Sequence, residues 1–541
     1  MAPWTYADIW EQIALAQPSR PALVQGDRII DWDGFDRSAC ALAGYLCSAG
    51  LERGSKLGIY MPNAPEYLVA VNAAFKISVA PFNINYRYGP DEIAYLADNA
   101  DAEAIVFDMA FGGLVDQIRR DLPRVRRWIA VTRENMPLPA WAEDFATIAG
   151  GPVERGIGGG ERTGDDQILL YTGGTTGHPK GVMWRQEDLL SVGNFGASPV
   201  LGLPPLASPE DAPARADAFG TISTLVACPF MHGTGLMSAC SSLNSGGFAA
   251  MLPPAAFDAA KLLDEAERLK VDRVAIVGMA FAGPLLEALD AEPRRWDLSK
   301  LRNINSSGTM WSTENKLGLL KHLPQATLTD TFASSEGFQM ATSHSSVSGT
   351  VETASFTLGP NGAVFTEDGR RVTPGSNEPG LAAVSGPIPL GYYKDPEKTA
   401  RTFRTIEGRR WSVPGDWARV EADGTLVLLG RGSQSINSGG EKIFPEEVEE
   451  TLKRHPAVRD AAVIGLLDPR FGERICAVVE YHRATPDPGL DVLARFVRER
   501  IAPFKAPREL VVVSDLARAP NGKLDYAAVR QMVERHRGQP A

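Results

Sequence analysis

YTGGTTGHPKG, residues 171–181, follows directly on the apolar run Ile168-Leu169-Leu170. Four glycines, three threonines and one lysine fill its eleven positions. A loop so poor in side chains lets backbone N–H groups approach an anion closely, while the hydroxyls and the lysine add donors. Polyphosphate is the guest such a loop fits. It is not a Walker A loop, which needs Gly directly before Lys. Here the order is Gly177-His178-Pro179-Lys180-Gly181. A mobile surface turn would read the same way, so the rest of the chain has to decide.

At 541 residues the chain exceeds what one core usually supports, and two or more domains are expected. Its 55 basic and 66 acidic residues leave a net charge of −11, which argues against a nonspecific nucleic-acid or anionic-membrane binder. An anionic substrate must then be met by a local positive site. The five cysteines are scattered and lack C-x-x-C spacing, which argues against a disulfide scaffold or structural zinc. The first residues show no basic stretch followed by an apolar one, and no apolar run approaches the ~18 residues of a membrane span. The expected location is cytoplasmic.

Around the loop, strand-like and helical patterns alternate. KLGIYMP, AEAIVFD and RRWIAVT read as strands in the first 150 residues, and PEYLVAVNAAFKISVAP as a helix between them. That alternation implies an α/β fold with largely parallel sheets and flanking helices. Residues 197–220 are rich in Pro, Ala and charge with little periodicity, and read as a surface insertion that could serve as a lid. KVDRVAIVG, LRNINSSG and QATLTDTF read as strands ending in loops, where ligand sites of such sheets gather. WARVEADGTLVLLG is a hairpin about Asp423-Gly424. The small, polar RGSQSINSGGEK after it marks a boundary, giving domains 1–431 and 432–541. The second is a small α+β unit, with a helix starting at Pro445 and an apolar stripe Leu490, Leu493, Val497, Ile501.

The loop's company then decides its reading. YTGGTTGHPKG, FMHGTG (230–235), DTFASSEG (330–337), PGDWARV (414–420), LLGRGSQSINSGGEKIFPEEVE (428–449) and APNGKLD (519–525) resemble, in order and spacing, the motifs of the acyl-adenylate-forming superfamily. The resemblance runs to about residue 530. It implies a large N-terminal domain with a small mobile C-terminal one, and a two-step reaction. A carboxylate attacks the α-phosphorus of ATP to give acyl-AMP and pyrophosphate, and a thiol, usually of coenzyme A, then displaces AMP. The carboxylate and the triphosphate repel one another, so cations and preorganised N–H donors must answer that repulsion.

The resemblance assigns roles residue by residue. Thr172, Gly173, Gly174, Thr175, Thr176, Gly177 and Lys180 match the loop that cradles the β- and γ-phosphates. Phe332 would stack on adenine, Asp330 or the Thr331 backbone would meet its edge, Ser307 and Gly308 would border the nucleotide, and Ser335 would touch the α-phosphate. Glu336 would hold Mg²⁺, an ion that favours carboxylate plus phosphate oxygens. Asp416 matches the ribose-binding carboxylate and Arg431 its guanidinium partner. Lys523 matches the lysine that serves adenylation alone. Gln434 stands at the hinge, and Gly439, Gly440, Glu441 and Lys442 would help form the coenzyme A tunnel. His232, Gly233, Met237, Gly308, Thr309, Met310 and Trp311 would wall the acyl pocket, and their apolar or small character suits a hydrophobic acid.

Two departures stand out. Phe332-Ala333 and Ser335 replace the commoner Tyr-Gly and Thr, so a tyrosine hydroxyl is lost. Ser433-Gln434 replaces the usual charged hinge residue. The wording GGTTGHPKGVMWRQEDL, SSGTMWS and INSGGEKIFPEEVEETLKRHPAV looks like the acyl-CoA synthetases of fatty acids and steroid side-chain acids. The expected protein is thus an ATP-, Mg²⁺- and coenzyme A-dependent ligase of a medium-to-long or bulky hydrophobic carboxylic acid, without nucleic-acid or membrane-spanning partners and with a homodimer as an allowed assembly. The alternatives are an aryl-acid or carrier-loading acyl-AMP ligase and, from another class, a non-catalytic nucleotide-binding protein.

Overall fold

The computed structural model describes residues 4–133, 136–153, 161–172, 179–193, 197–309, 311–431, 434, 436–438, 441–468, 472–483, 485–501, 503–519 and 524–538. The chain divides into two compact units, one of residues 1–351 with 384–412 and one of residues 352–383 with 413–541.

The first unit carries two sheets. One runs Gly391–Tyr392, Lys180–Arg185, Gln167–Thr172, Ala80–Asn83, Lys56–Tyr60, Ala104–Asp108, Arg127–Val131, Glu143–Asp144. From Gln167–Thr172 onward its strands pair in parallel, and the Ala104–Asp108 strand is buried along its whole length, as a strand covered on both faces requires. The first two pairings, by contrast, are antiparallel. The second sheet contains Pro21–Gln25, Ala249–Met251, Thr224–Val226, Arg273–Ile276, Asn303–Ser307 and Thr327–Ser334 in parallel order, then Gly337–Ser345 antiparallel. The α/β reading with largely parallel sheets therefore holds.

The faces of this second sheet differ. Val274 and Ile304 point toward Leu262, Leu285, Leu289 and Leu323, which belong to the helical layer on that side. The alternating positions Arg273, Asn303 and Asn305 point the other way, toward the helix Gly233–Asn244. Residues 197–220 do not form a loose lid. They contain the helix Ala212–Phe219, whose buried Arg215 donates to the carbonyls of Pro204 and Asn244, and Leu201 and Leu203 pack on Ile222. The low periodicity reflects short turns around Pro199 and Pro209 rather than missing structure.

In the second unit Asp416–Val420 and Thr425–Arg431 form the expected hairpin, with Gly424 at φ +87° in its turn. The register sets Asp416 directly opposite Arg431. Segments 352–383 and 413–431 lie in this unit with the C-terminal residues. The C-terminal α+β layer comprises Val458–Asp468 antiparallel to Gly472–Tyr481, with Glu509–Val513 parallel beside it. Apolar side chains of the helices Pro445–Lys453 and Leu490–Arg498 fill one cluster of buried residues, and those of Tyr526–Gly538 another.

Candidate active site

The strand Gln167–Thr172 delivers Tyr171 and Thr172 to the start of the glycine-rich loop, and the next strand resumes at Lys180. Gly173, Gly174, Thr175, Thr176 and Gly177 lie outside the described residues, as do Met310, Gly439, Gly440 and Lys523. Both ends of the loop are nonetheless fixed. Thr172 pairs with Lys180 in the antiparallel ladder, and buried Asn83 clamps Tyr171 by accepting its N–H and donating to its carbonyl, each at 2.8 Å. The same Asn83 amide donates to the Met231 carbonyl at 2.8 Å. Asn63 holds the preceding turn by accepting from Phe230 N–H at 2.7 Å and donating to the Cys228 carbonyl at 2.9 Å. His232 is the N-cap position of the helix Gly233–Asn244, so its place is set by the same two amides.

Strand Thr327–Ser334 turns back into Gly337–Ser345 through an irregular register between Phe332 and Ser334, the kind of bulge that re-aims side chains at sites. Gly337 permits that turn, because a Cβ there would sit 2.6 Å from Val384 Cγ1. The Ser335 carbonyl accepts from Trp184 Nε1 at 2.8 Å and the Glu336 carbonyl from Ser412 Oγ at 2.6 Å. The buried Glu336 carboxylate accepts the Tyr392 hydroxyl at 2.6 Å, and among the described residues no Lys or Arg forms an ion pair with it. A carboxylate that accepts from a neutral phenol is sterically and electrostatically open to a cation. No cluster of three metal-ligating side chains occurs among the described residues, and Mg²⁺ bound mainly by substrate phosphates needs only one or two carboxylates. The donor set fits that ion.

Lys180 is paired with Asp395, which also accepts Lys398 N–H at 2.9 Å. The ammonium, then that backbone bond, holds the Asp395 carboxyl below the usual carboxylate range. Tyr392 and Asp395 flank one short turn, in which Tyr393 N–H donates to the Gly181 carbonyl at 2.8 Å. The stretch Gly391–Asp395 thus grips both the lysine that ends the phosphate loop and the expected metal ligand. The reading of the sequence passed over it. Its signal was the Asp395-Pro396 pair, an N-cap followed by Pro at the first helical position.

Asp330 is buried with Phe332 on one face of its strand, and its carboxylate lies 3.5 Å from Lys316 Nζ. Burial raises Asp330 to about 6 against the pull of that ammonium. The Lys316 ammonium in turn stands 5.7 Å from the Trp311 ring centre, and Trp311 is wholly buried with its Nε1 donating to Asn315. Trp311, Lys316 and Asp330 form an internal support under the strand end. Gly308, at φ +96°, follows Ser307, which pairs with Thr331. In the second unit, Gln434 stands between the hairpin and the strand Ile436–Ser438, which pairs antiparallel with Glu441–Ile443.

A model of the AMP-binding enzyme family matches residues 10–393, and one of the AMP-binding enzyme C-terminal domain matches residues 447–523. The chain belongs to the AMP-binding enzyme family. Its similarity to the medium/long-chain fatty-acid–CoA/3-oxocholest-4-en-26-oate–CoA ligase of Mycobacterium marinum is 38% identity, over 98% of this chain and 96% of that one. The 3-oxocholest-4-en-26-oate–CoA ligase of Rhodococcus rhodochrous is 39% identical over 96% and 94%. The fold of AMP-binding enzymes is seen again in the anthranilate CoA ligase AuaEII with anthranoyl-AMP, at a TM-score of 0.83 and 21% identity over 98% and 97% of the two chains. ATP-bound MatB from Rhodopseudomonas palustris gives 0.79 at 22% identity over 99% of each. No helix among the described residues is long and apolar enough to cross a membrane.

Proposed function

We propose that the chain is a cytoplasmic, ATP-dependent acyl-CoA synthetase acting on a hydrophobic carboxylic acid, of medium-to-long chain or steroid side-chain type. The observation that carries the reading is the pairing of Lys180 and Glu336 through one turn, Gly391–Asp395, at the ends of two different sheets' strands. A cation for phosphate oxygens and a carboxylate free of cationic partners among the described residues are what phosphoryl chemistry on ATP demands. In the first step a carboxylate oxygen bonds to the α-phosphorus and the bond to the pyrophosphate oxygen breaks. Lys180 and the Thr172–Gly177 loop hold the departing phosphates, and Lys523 neutralises the α-phosphate and the incoming carboxylate. Glu336 holds Mg²⁺, which supplies charge neutralisation across the phosphates. Phe332 stacks on adenine and the Thr331 backbone meets its edge, since Asp330 is engaged by Lys316. Asp416 and Arg431, neighbours across their hairpin, take the ribose. In the second step the coenzyme A sulfur bonds to the acyl carbon and AMP leaves, after residues 432–541 rotate about Gln434 to bring Gly439, Gly440, Glu441 and Lys442 to the thiol.

The test offers ATP, Mg²⁺, coenzyme A and acids from acetate to steroid-derived, with products read by mass spectrometry. Thioesters concentrated among hydrophobic acids are expected. Acyl-AMP without thioester would make the protein an acyl-AMP ligase. Lys523→Ala is expected to lose acyl-AMP formation while keeping thioester formation from supplied acyl-AMP, and equal loss in both would overturn the rotation.

A further inference from the structure

The turn Gly391–Asp395 leads directly into the helix Pro396–Thr402, and the two are closely bonded. Asp395 caps the helix, its Oδ1 accepting Lys398 N–H at 2.9 Å. Thr399 Oγ1 donates to the Asp395 carbonyl at 2.7 Å and accepts Tyr392 N–H at 2.9 Å. Gly391, at φ +149°, leaves the room that Thr399 needs, because a Cβ there would stand 2.5 Å from Thr399 Cγ2. The half-buried Lys398 therefore leaves the helix from a fixed backbone.

Neighbouring cations are committed elsewhere. Lys394 Nζ lies 2.8 Å from the Asp101 carboxylate, and Arg410 donates to the carbonyls of Pro389 and Leu390. Lys398 turns back instead over the face of Tyr392, its Nζ 4.6 Å from the ring centre. That ring is buried, and its hydroxyl is the one that donates to Glu336. A ring face attracts an ammonium without cancelling its charge. Lys180 differs, because Asp395 is already its ion-pair partner. Both lysines act on Asp395: the bond from Lys180 does most to hold its carboxyl low, and the charge of Lys398 adds to it. One short turn thus gathers two ammonium groups beside the carboxylate expected to hold the metal. Pyrophosphate gains charge as its bond to the α-phosphorus breaks, and cations aimed at that charge lower the barrier. A lysine that must first leave a carboxylate answers this only in part. A second lysine, held on a ring, still has its whole charge to offer.

We propose that Lys398 is a second cation of the phosphate subsite, taking a β- or γ-phosphoryl oxygen of bound ATP and of the departing pyrophosphate. The proposal rests on the ATP-dependent reading and adds to it a residue outside the phosphate loop. The ammonium changes partner from ring to phosphate, while Tyr392 keeps its bond to Glu336.

Full-length wild type, Lys398→Met and Lys398→Arg are titrated by calorimetry with ATP, pyrophosphate and AMP, each with Mg²⁺. Lys398→Met is expected to weaken ATP and pyrophosphate by about tenfold, the scale of one charge-assisted hydrogen bond, and AMP by less than about twofold. AMP has no β- or γ-phosphate, so general damage to the fold would weaken all three alike. Lys398→Arg, which keeps the charge, is expected to recover binding to within about threefold of wild type. Unchanged pyrophosphate affinity in Lys398→Met, an equal loss on all three ligands, or no recovery in Lys398→Arg would overturn the proposal. Should Lys398→Met not fold, Lys398→Gln, polar but uncharged, carries the same expectations and the same overturning results. A wild type that binds AMP but neither ATP nor pyrophosphate would also overturn it, whereas one that binds none of the three would fail the ATP-dependent reading beneath it.

Discussion

The strands Arg273–Ile276 and Asn303–Ser307 present two unlike faces to the molecule. On one side Val274 and Ile304 meet leucines from three helices. On the other, separated by one residue of the same backbone, Arg273 and Asn305 meet serines and Asn303 accepts from Arg273. A sheet needs only one greasy side to be stable, since burial of apolar area is additive and undirected. The hydroxyl-lined side is a poorer source of stability and a better one of recognition, because hydrogen bonds reject the wrong partner more sharply than they reward the right one. Apolar packing thus holds one face and hydrogen bonding the other, a division that substitutions can break.

Leu289, 4% exposed on the apolar side, should cost about 2–5 kcal/mol of unfolding free energy when cut to alanine. Denaturant unfolding measures the loss, and the ranking of acids by kcat/KM should not move. A changed ranking would show the two faces are not independent. The converse change is Glu336→Gln, at the strand end on the site side. It should lower acyl-AMP formation by about a hundredfold or more while the melting temperature stays within the error of the measurement. A melting temperature that fell with activity would mean that the Tyr392–Glu336 bond is structural first.

The smallest effect concerns Asp395→Asn. Removing the carboxylate that occupies Lys180 should tighten binding of Mg²⁺-free ATP by about two- to fivefold in calorimetry, the scale of a half-exposed ion pair. Weaker binding would mean that Asp395 aims the lysine rather than competing for it.

Much of this was legible. The alternation of strand and helix patterns sufficed for the parallel sheets, Asp423-Gly424 for the hairpin and Pro445 for the start of its helix, because each depends on neighbours in sequence. Even the polar face was written in Asn303-Ile304-Asn305-Ser306-Ser307, where amides alternate with a buried isoleucine, although the strand was read only for its position. What stayed hidden was contact between distant segments. Asp330 reads as a candidate for the adenine edge until the helix Thr313–His322 brings Lys316 beside it. The polar residues of the helix after His232 gain meaning only when Arg273 is seen opposite. Nothing local to Tyr392 announces Glu336, 56 residues earlier.

Asn83 has one further consequence. A single side-chain amide braces Tyr171, at the mouth of the phosphate loop, and Met231, one residue before His232. The bonds are buried and each is formed to backbone, so neither segment can shift without breaking a hydrogen bond to the amide that also holds the other.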